Sequence, residues 1–160
     1  MPSRRDQIRM SEDELRDFLE EQKVVTVATT GPDGRPHLMP LWYVPQPGGE
    51  LIGWTFGKSQ KAKNLERDPH ATLQVEDGVE YQELRGVMLE CDVEVESDTA
   101  AVTEYGMAIF RRYAPGDGDG GEPPPEVRQM VEKQAPKRIG MRFRPTRTVS
   151  WDHRKLGGTY

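Results

Sequence analysis

Val24-Val25-Thr26-Val27-Ala28-Thr29-Thr30 runs into Gly31-Pro32-Asp33-Gly34, and the chain returns through His37-Leu38-Met39-Pro40-Leu41-Trp42-Tyr43-Val44. The first run is β-branched and alternating, the tetrad is turn chemistry, and the second run can pair back on the first as a hairpin. A strand that turns straight back cannot begin a strand-helix-strand crossover, so a doubly wound parallel sheet is excluded.

Outward from this hairpin the pattern stays β-rich. On its N-terminal side Ser11 and Glu14 form a capping box, and Leu15, Phe18 and Leu19 make the apolar stripe of a helix ending near Gln22. On the other side, Pro45-Gln46-Pro47-Gly48-Gly49 is a turn and Leu51 to Phe56 a strand. Gly57 breaks that strand, and Ser59 to Arg67 is a short helix stopped by Asp68-Pro69. Ala71 to Val75 is the next strand, and Tyr81 to Val95 is a long one, with Gly86 as its bulge or close-approach point. Asp98 caps a helix to about Tyr113, a second helix runs from Glu126 to Gln134, and Lys137 to Val149 is the last strand. Ser150 to Tyr160 reads as a polar tail. About six strands with few helices predict a mainly β protein, a β-barrel with α-helices at its ends.

The 160 residues suit one domain, with residues 1–10 as a flexible arm and the Gly-, Asp- and Pro-rich residues 114–125 as a mobile loop. Such a length buries roughly 70% of its unfolded surface without a disulfide or metal. Cys91 has no partner and sits in a strand-like run, where a thiol is a small buried hydrophobe. That cysteine usage and the polar first ten residues predict a cytoplasmic protein with no leader and no membrane span. The net charge of −5, with dispersed cations, argues against nucleic acid as a partner. Hydrophobic residues make up only 34%, a lean core that favours association through a shared apolar face.

Chemistry concentrates in Trp54-Thr55-Phe56-Gly57-Lys58-Ser59-Gln60-Lys61-Ala62-Lys63-Asn64-Leu65. This is strand, glycine turn and capped helix, whose free N–H groups, with Lys58, Lys61 and Ser59, suit a phosphate. A capped helix with solvated lysines explains the same residues. Trp42, Tyr43 and Trp54 could wall a planar ring beside it, or could all be core. Gly57-Lys58-Ser59 is no nucleotide-hydrolase loop, because Ile52 stands where that pattern needs its first glycine.

The order of these segments, ending in Ser150-Trp151-Asp152-His153-Arg154-Lys155-Leu156, resembles the pyridoxamine-phosphate-oxidase-like FMN-binding split barrels. The tail is most similar to the flavin/deazaflavin oxidoreductase branch, which uses coenzyme F420. The resemblance covers Ser11 to the end. It implies a six-stranded antiparallel split β-barrel and a homodimer with cofactor sites at its interface. Carried over, Pro40, Leu41 and Trp42 line the ring. Trp54, Thr55, Lys58, Ser59 and Lys61 hold the phosphate, with Lys63 and Asn64 on the same helix. Arg85, Gly86, Trp151 and Arg154 reach the site from elsewhere in the fold. The oxidase has an arginine where this chain has Gln60. The lysines at 58, 61 and 63 resemble the deazaflavin branch, whose cofactor carries a longer acidic tail.

The implied activity is hydride transfer between reduced coenzyme F420 and a small unsaturated or quinone-like substrate. FMN-dependent oxidoreduction, or carriage of flavin, F420 or heme without turnover, are the alternatives. His37, His70 and His153 are candidate proton sources without metal-ligand spacing, and no residue stands out as a catalytic acid.

Overall fold

The computed structural model describes residues 1–114 and 121–158. Seven strands form one antiparallel sheet, β1 Val25–Thr30, β2 Pro36–Leu41, β3 Val44–Pro45, β4 Leu51–Phe56, β5 His70–Asp77, β6 Arg85–Glu96 and β7 Arg138–Asp152. The strand order is β2-β1-β5-β6-β7-β4-β3. The two edge strands are consecutive in sequence and joined through Trp42 and Tyr43, so the sheet curls into a barrel with a split between β2 and β4. Leu41 bridges that split: a Cβ added at Gly53 would lie 2.9 Å from Leu41 Cδ2. The mainly β fold expected from the sequence is the one found, with seven strands rather than six because β3 is a separate two-residue strand.

Period-two alternation builds the interior. Val25 and Val27 of β1, Leu73 and Val75 of β5, Val87 and Leu89 of β6, and Met141 and Phe143 of β7 form one buried cluster with Leu51. Helix α2 (Glu12–Glu21), preceded by α1 (Arg4–Ile8), closes one end with Phe18 and Leu19. A second cluster lies outside the sheet, where Trp54 meets Val102, Met107 and Ile109 of α4 (Thr99–Tyr113) and Val131 of α5 (Pro125–Gln134). Helix α3 (Gln60–Arg67) leaves β4 and packs on β1.

Several boundaries differ from the sequence reading. The returning hairpin strand ends at Leu41, because Tyr43 turns fully into the core, where its hydroxyl donates to the Leu19 carbonyl at 2.7 Å. Tyr81–Glu83 is a 3-10 turn, and the long strand starts at Arg85. Its irregularity falls at Glu90/Cys91 rather than Gly86. Gly86 is a close-approach point, since a Cβ there would sit 2.4 Å from the Trp151 ring. The tail begins later than read: Ser150 to Asp152 extend β7 opposite Val87, Gly86 and Arg85. In the arm expected over residues 1–10, Ser3 caps α1, and the N–H of buried Met10 donates to Ser150 Oγ at 3.1 Å. Residues 115–120 of the expected mobile loop lie outside the described residues. Among the described residues no helix is long and apolar enough to cross a membrane.

Helix α4 approaches the sheet through Gly106. A Cβ there would stand 2.6 Å from the Trp54 ring and 2.7 Å from Val131 Cγ1. Gly106→Ala is therefore expected to destabilise the protein by about 1–3 kcal/mol through overpacking, despite alanine's better helix propensity. Urea unfolding measures this, and an unchanged midpoint would mean that α4 slides freely on β4.

Candidate functional site

The strand-turn-helix from β4 to α3 supplies the most distinctive electrostatic feature of the chain. Ser59 caps α3, its hydroxyl accepting from the Ala62 N–H at 3.1 Å, while the Gln60 and Lys61 amides remain among the unsatisfied donors of the first turn. Lys61 is only 5% exposed, and among the described residues its side chain makes one hydrogen bond, a long 3.5 Å contact from Nζ to Thr55 Oγ1. No carboxylate of the described residues pairs with it, and burial alone pushes its pKa down. A buried ammonium with one weak partner is costly to hold, so the cradle of Thr55, Ser59 and Lys61 fits an anion such as a phosphate.

Alternation along β4 divides the expected phosphate residues. Thr55 lies on the barrel side with Lys61. Trp54 points to the opposite face, where it is core of the second cluster. Lys58 and Lys63 are exposed beside the cradle. Asn64 is fully buried: its Nδ2 donates to Thr29 Oγ1 at 3.0 Å, and its Oδ1 accepts from Gln60 Nε2 at 2.8 Å and Arg67 Nη2 at 3.2 Å. It is thereby a brace between α3 and β1. Gln60 is turned along the helix by the same bond.

On β2, Pro40 is exposed and Leu41 leans on Gly53. Trp42 is half exposed and stacks on Tyr113 at 4.4 Å with the rings 7° from parallel, so one of its faces is already taken. Tyr43 is core.

Arg85, Gly86, Trp151 and Arg154 form a second group far along the sheet. Thr55 pairs with Ile139 and Gly86 with Trp151, so twelve residues of β7 (151 − 139), roughly 40 Å of contour, separate the groups. In this group the arginines are committed. Arg85 is held by Glu21 at 2.6 Å and Asp77 at 2.9 Å, and Arg154 by Asp152 at 2.7 Å. Hydrogen bonding from Arg154 holds the Asp152 carboxyl below the usual range. One chain does not bring all the expected site residues together.

The histidines are dispersed. His37 lies on β2 opposite Thr29, with its Nδ1 buried and unpartnered. His70 is exposed, with Asp68 at 2.6 Å and Asp92 at 3.4 Å, and the Asp68 hydrogen bond raises its pKa. His153 donates from Nδ1 to the Tyr81 carbonyl at 2.9 Å. No cluster among the described residues could hold a metal ion. Burial raises the Cys91 thiol to about 12, which removes it as a thiolate nucleophile.

Two open grooves, of about 340 and 390 Å³, lie beside Glu21 and Gln74 and beside Thr29 and His70. Neither is lined by Thr55, Ser59 or Lys61. Sequence reasoning missed Arg138, Arg112 and Tyr113, whose partners lie on other elements. Only the alternation that puts Arg138 opposite Phe56 left a trace, and that needs the β4–β7 register.

Residues 11–152 match the family model described as pyridoxamine 5'-phosphate oxidase. The crystal structure of the conserved hypothetical protein Rv2991 from Mycobacterium tuberculosis superposes with a TM-score of 0.86 at 41% identity, over 99% of this chain and 95% of that one. An F420 reductase matches at 23% identity and TM-score 0.61, covering 83% of this chain and 94% of its own. The heme storage protein HutZ from Vibrio cholerae matches at 18% identity and TM-score 0.65, over 87% and 94%. These last two likenesses are of fold. None of the curated proteins matches the chain.

Proposed function

The chain belongs to the pyridoxamine 5'-phosphate oxidase family, and we propose that it is a cytoplasmic oxidoreductase using reduced coenzyme F420, a deazaflavin, to reduce a small unsaturated or quinone-like substrate. The observation that carries this choice is the single buried cation of the cradle. Lys61, with the hydroxyls of Thr55 and Ser59 and the first-turn amides of α3, offers one positive charge among neutral donors. The phosphomonoester of FMN is close to dianionic at neutral pH. The phosphate of the deazaflavin coenzyme is a diester with one negative charge, which one lysine balances. Gln60 adds no charge and is bonded to Asn64 instead. The exposed Lys58 and Lys63 on the same turn and helix are cations of the kind an acidic tail would need.

A reduced deazaflavin held there would supply the hydride-transfer chemistry. The chain does the rest by position. Lys61 neutralises the phosphate, Thr55 and Ser59 donate to it, and Leu41 and the free face of Trp42 flank the ring.

The active unit in this reading is a homodimer. Leu38, Met39, Trp42 and Phe56 are each 46–60% exposed, large apolar side chains of the kind that burial against a second copy would cover. The partner then supplies the Arg85, Gly86, Trp151 and Arg154 group to the cradle of the first chain.

Titration of the pure protein with coenzyme F420 and with FMN, read by fluorescence alongside light scattering, tests this. Tight binding of F420 by a dimer, with multiple turnover once an electron acceptor is added, is expected. Tight binding of FMN alone would move the protein to FMN-dependent chemistry. Bound cofactor or heme without turnover would make it a carrier, and binding of none would overturn the reading.

A further inference from the structure

Arg138 opens β7 opposite Phe56, at the end of the sheet where β4 turns into α3. Its guanidinium carbon lies 4.0 Å from the centroid of the Phe56 ring and 4.3 Å from that of Trp54. Nε donates to Gln134 Oε1 at 3.1 Å, which fixes the rotation of the guanidinium plane. Burial lowers its pKa. The other arginines of this strand have carboxylates: Arg142 pairs with Glu50 at 2.9 Å, Arg144 with Glu94 at 2.9 Å and Arg147 with Glu90 at 3.1 Å. Arg138 has none among the described residues, and neither Nη makes a hydrogen bond there. Its neighbours add positive charge. Lys137 precedes it, and the Lys137 carbonyl accepts from the Gly57 N–H at 2.9 Å, tying the Lys58 turn to the same point.

Cation–π contact alone could explain an arginine leaning on aromatic rings. It does not explain why a half-buried guanidinium with its Nε anchored leaves both Nη groups without a hydrogen bond among the described residues, at a sheet end whose backbone also carries Lys137 and the Lys58 turn. A guanidinium held in this way presents a planar, two-pronged donor edge, which takes a carboxylate or a phosphate bidentately; with the phosphate assigned to Lys61 in the proposed function, a carboxylate is left for Arg138. The geometry points to Arg138, braced by Trp54, Phe56 and Gln134, as a carboxylate-binding residue for a small-molecule ligand. The carboxylate belongs either to the tail of the bound cofactor or to the substrate, and the first of these sources rests on the proposed cofactor reading.

The test follows the Arg138 Nε–Hε resonance by ¹⁵N NMR in the wild-type protein, assigned by its loss in Arg138→Lys. The probes are sodium benzoate, coenzyme F420, and the tail-less deazaflavin nucleoside. The expected result is a saturable shift with benzoate or with F420, and at least tenfold weaker binding of that ligand by Arg138→Lys, which keeps the charge and loses the fork. A shift with F420 but not with the nucleoside assigns the carboxylate to the cofactor tail. A benzoate shift that persists with F420 bound assigns it to the substrate. A benzoate shift with neither deazaflavin binding leaves the carboxylate site standing and removes the cofactor reading. A resonance that moves with neither benzoate nor F420 overturns the proposal, whatever the variant does.

Discussion

Lys61→Met is expected to bind coenzyme F420 at least a hundredfold more weakly than the wild type, about 2.7 kcal/mol, and to melt at a higher temperature without cofactor. Both effects have one cause. Lys61 is 5% exposed and its ammonium makes a single 3.5 Å hydrogen bond among the described residues, so the protein without cofactor bears its desolvation with little return. Methionine has a similar reach and no charge. Replacing a poorly compensated buried ion by an apolar group of like volume is neutral or stabilising by roughly 1–4 kcal/mol. The same change deletes the one buried cation that faces the bound phosphate. Stability and binding should therefore move in opposite directions, a pattern that a simple packing defect does not give.

The pH dependence follows from the same burial. Burial lowers the Lys61 pKa in the folded state below its ordinary 10.5, while the unfolded chain keeps that value. Between the two values the unfolded state holds more protons, so stability rises with pH across that window and is lower beneath it. Thermal melts of cofactor-free wild type and Lys61→Met from about pH 7 to about pH 10 should converge as pH rises. Parallel curves with unchanged F420 affinity would remove the strand-turn-helix from the site.

Arg112→Met is expected to cost about 3 kcal/mol, a drop of roughly 6–12 °C in Tm for a chain of this size. Arg112 has a side chain only 9% exposed. Its Nη2 donates to the carbonyls of Leu19 at 3.1 Å, Glu20 at 3.0 Å and Gln22 at 2.9 Å, the orphan acceptors at the C-terminal end of α2. The guanidinium also lies over the Tyr43 and Tyr113 rings, at 5.2 and 5.6 Å. One side chain thus joins α2, the β2–β3 crossover and α4. Glu20→Gln, by contrast, should cost less than about 1 kcal/mol, because that carboxylate is 57% exposed and its pair with Arg112 is screened by water. Urea unfolding of both variants checks the ranking, and a smaller loss in Arg112→Met than in Glu20→Gln would contradict it.

Much of the fold was legible because its signals are local. The capping boxes at Ser11, the Gly31–Gly34 turn, the β-branched alternation of β1 and the Ser59 cap each depend on a few neighbouring residues, and each stands where the sequence put it. The strand ends were less legible. Tyr43 leaves the strand pattern because its ring fills the barrel and its hydroxyl reaches α2, and Ser150–Asp152 stay in it because β6 offers them partners. Both outcomes come from residues distant in sequence.

The same division runs through the candidate site. By itself the sequence determined a hairpin-led β protein and a cationic strand-turn-helix, since periodicity, turn chemistry and caps are short-range physics. Tertiary structure alone decided that Lys61 is buried with no counter-charge among the described residues, that Gln60 and Asn64 serve each other, and that Trp54 faces the core. It also decided that Arg85 and Arg154 are held by their own carboxylates, and that Arg138 rests on Phe56 and Trp54 with no carboxylate partner among the described residues. Burial and pairing of charge depend on which strands become neighbours, and that is set only when the whole sheet closes.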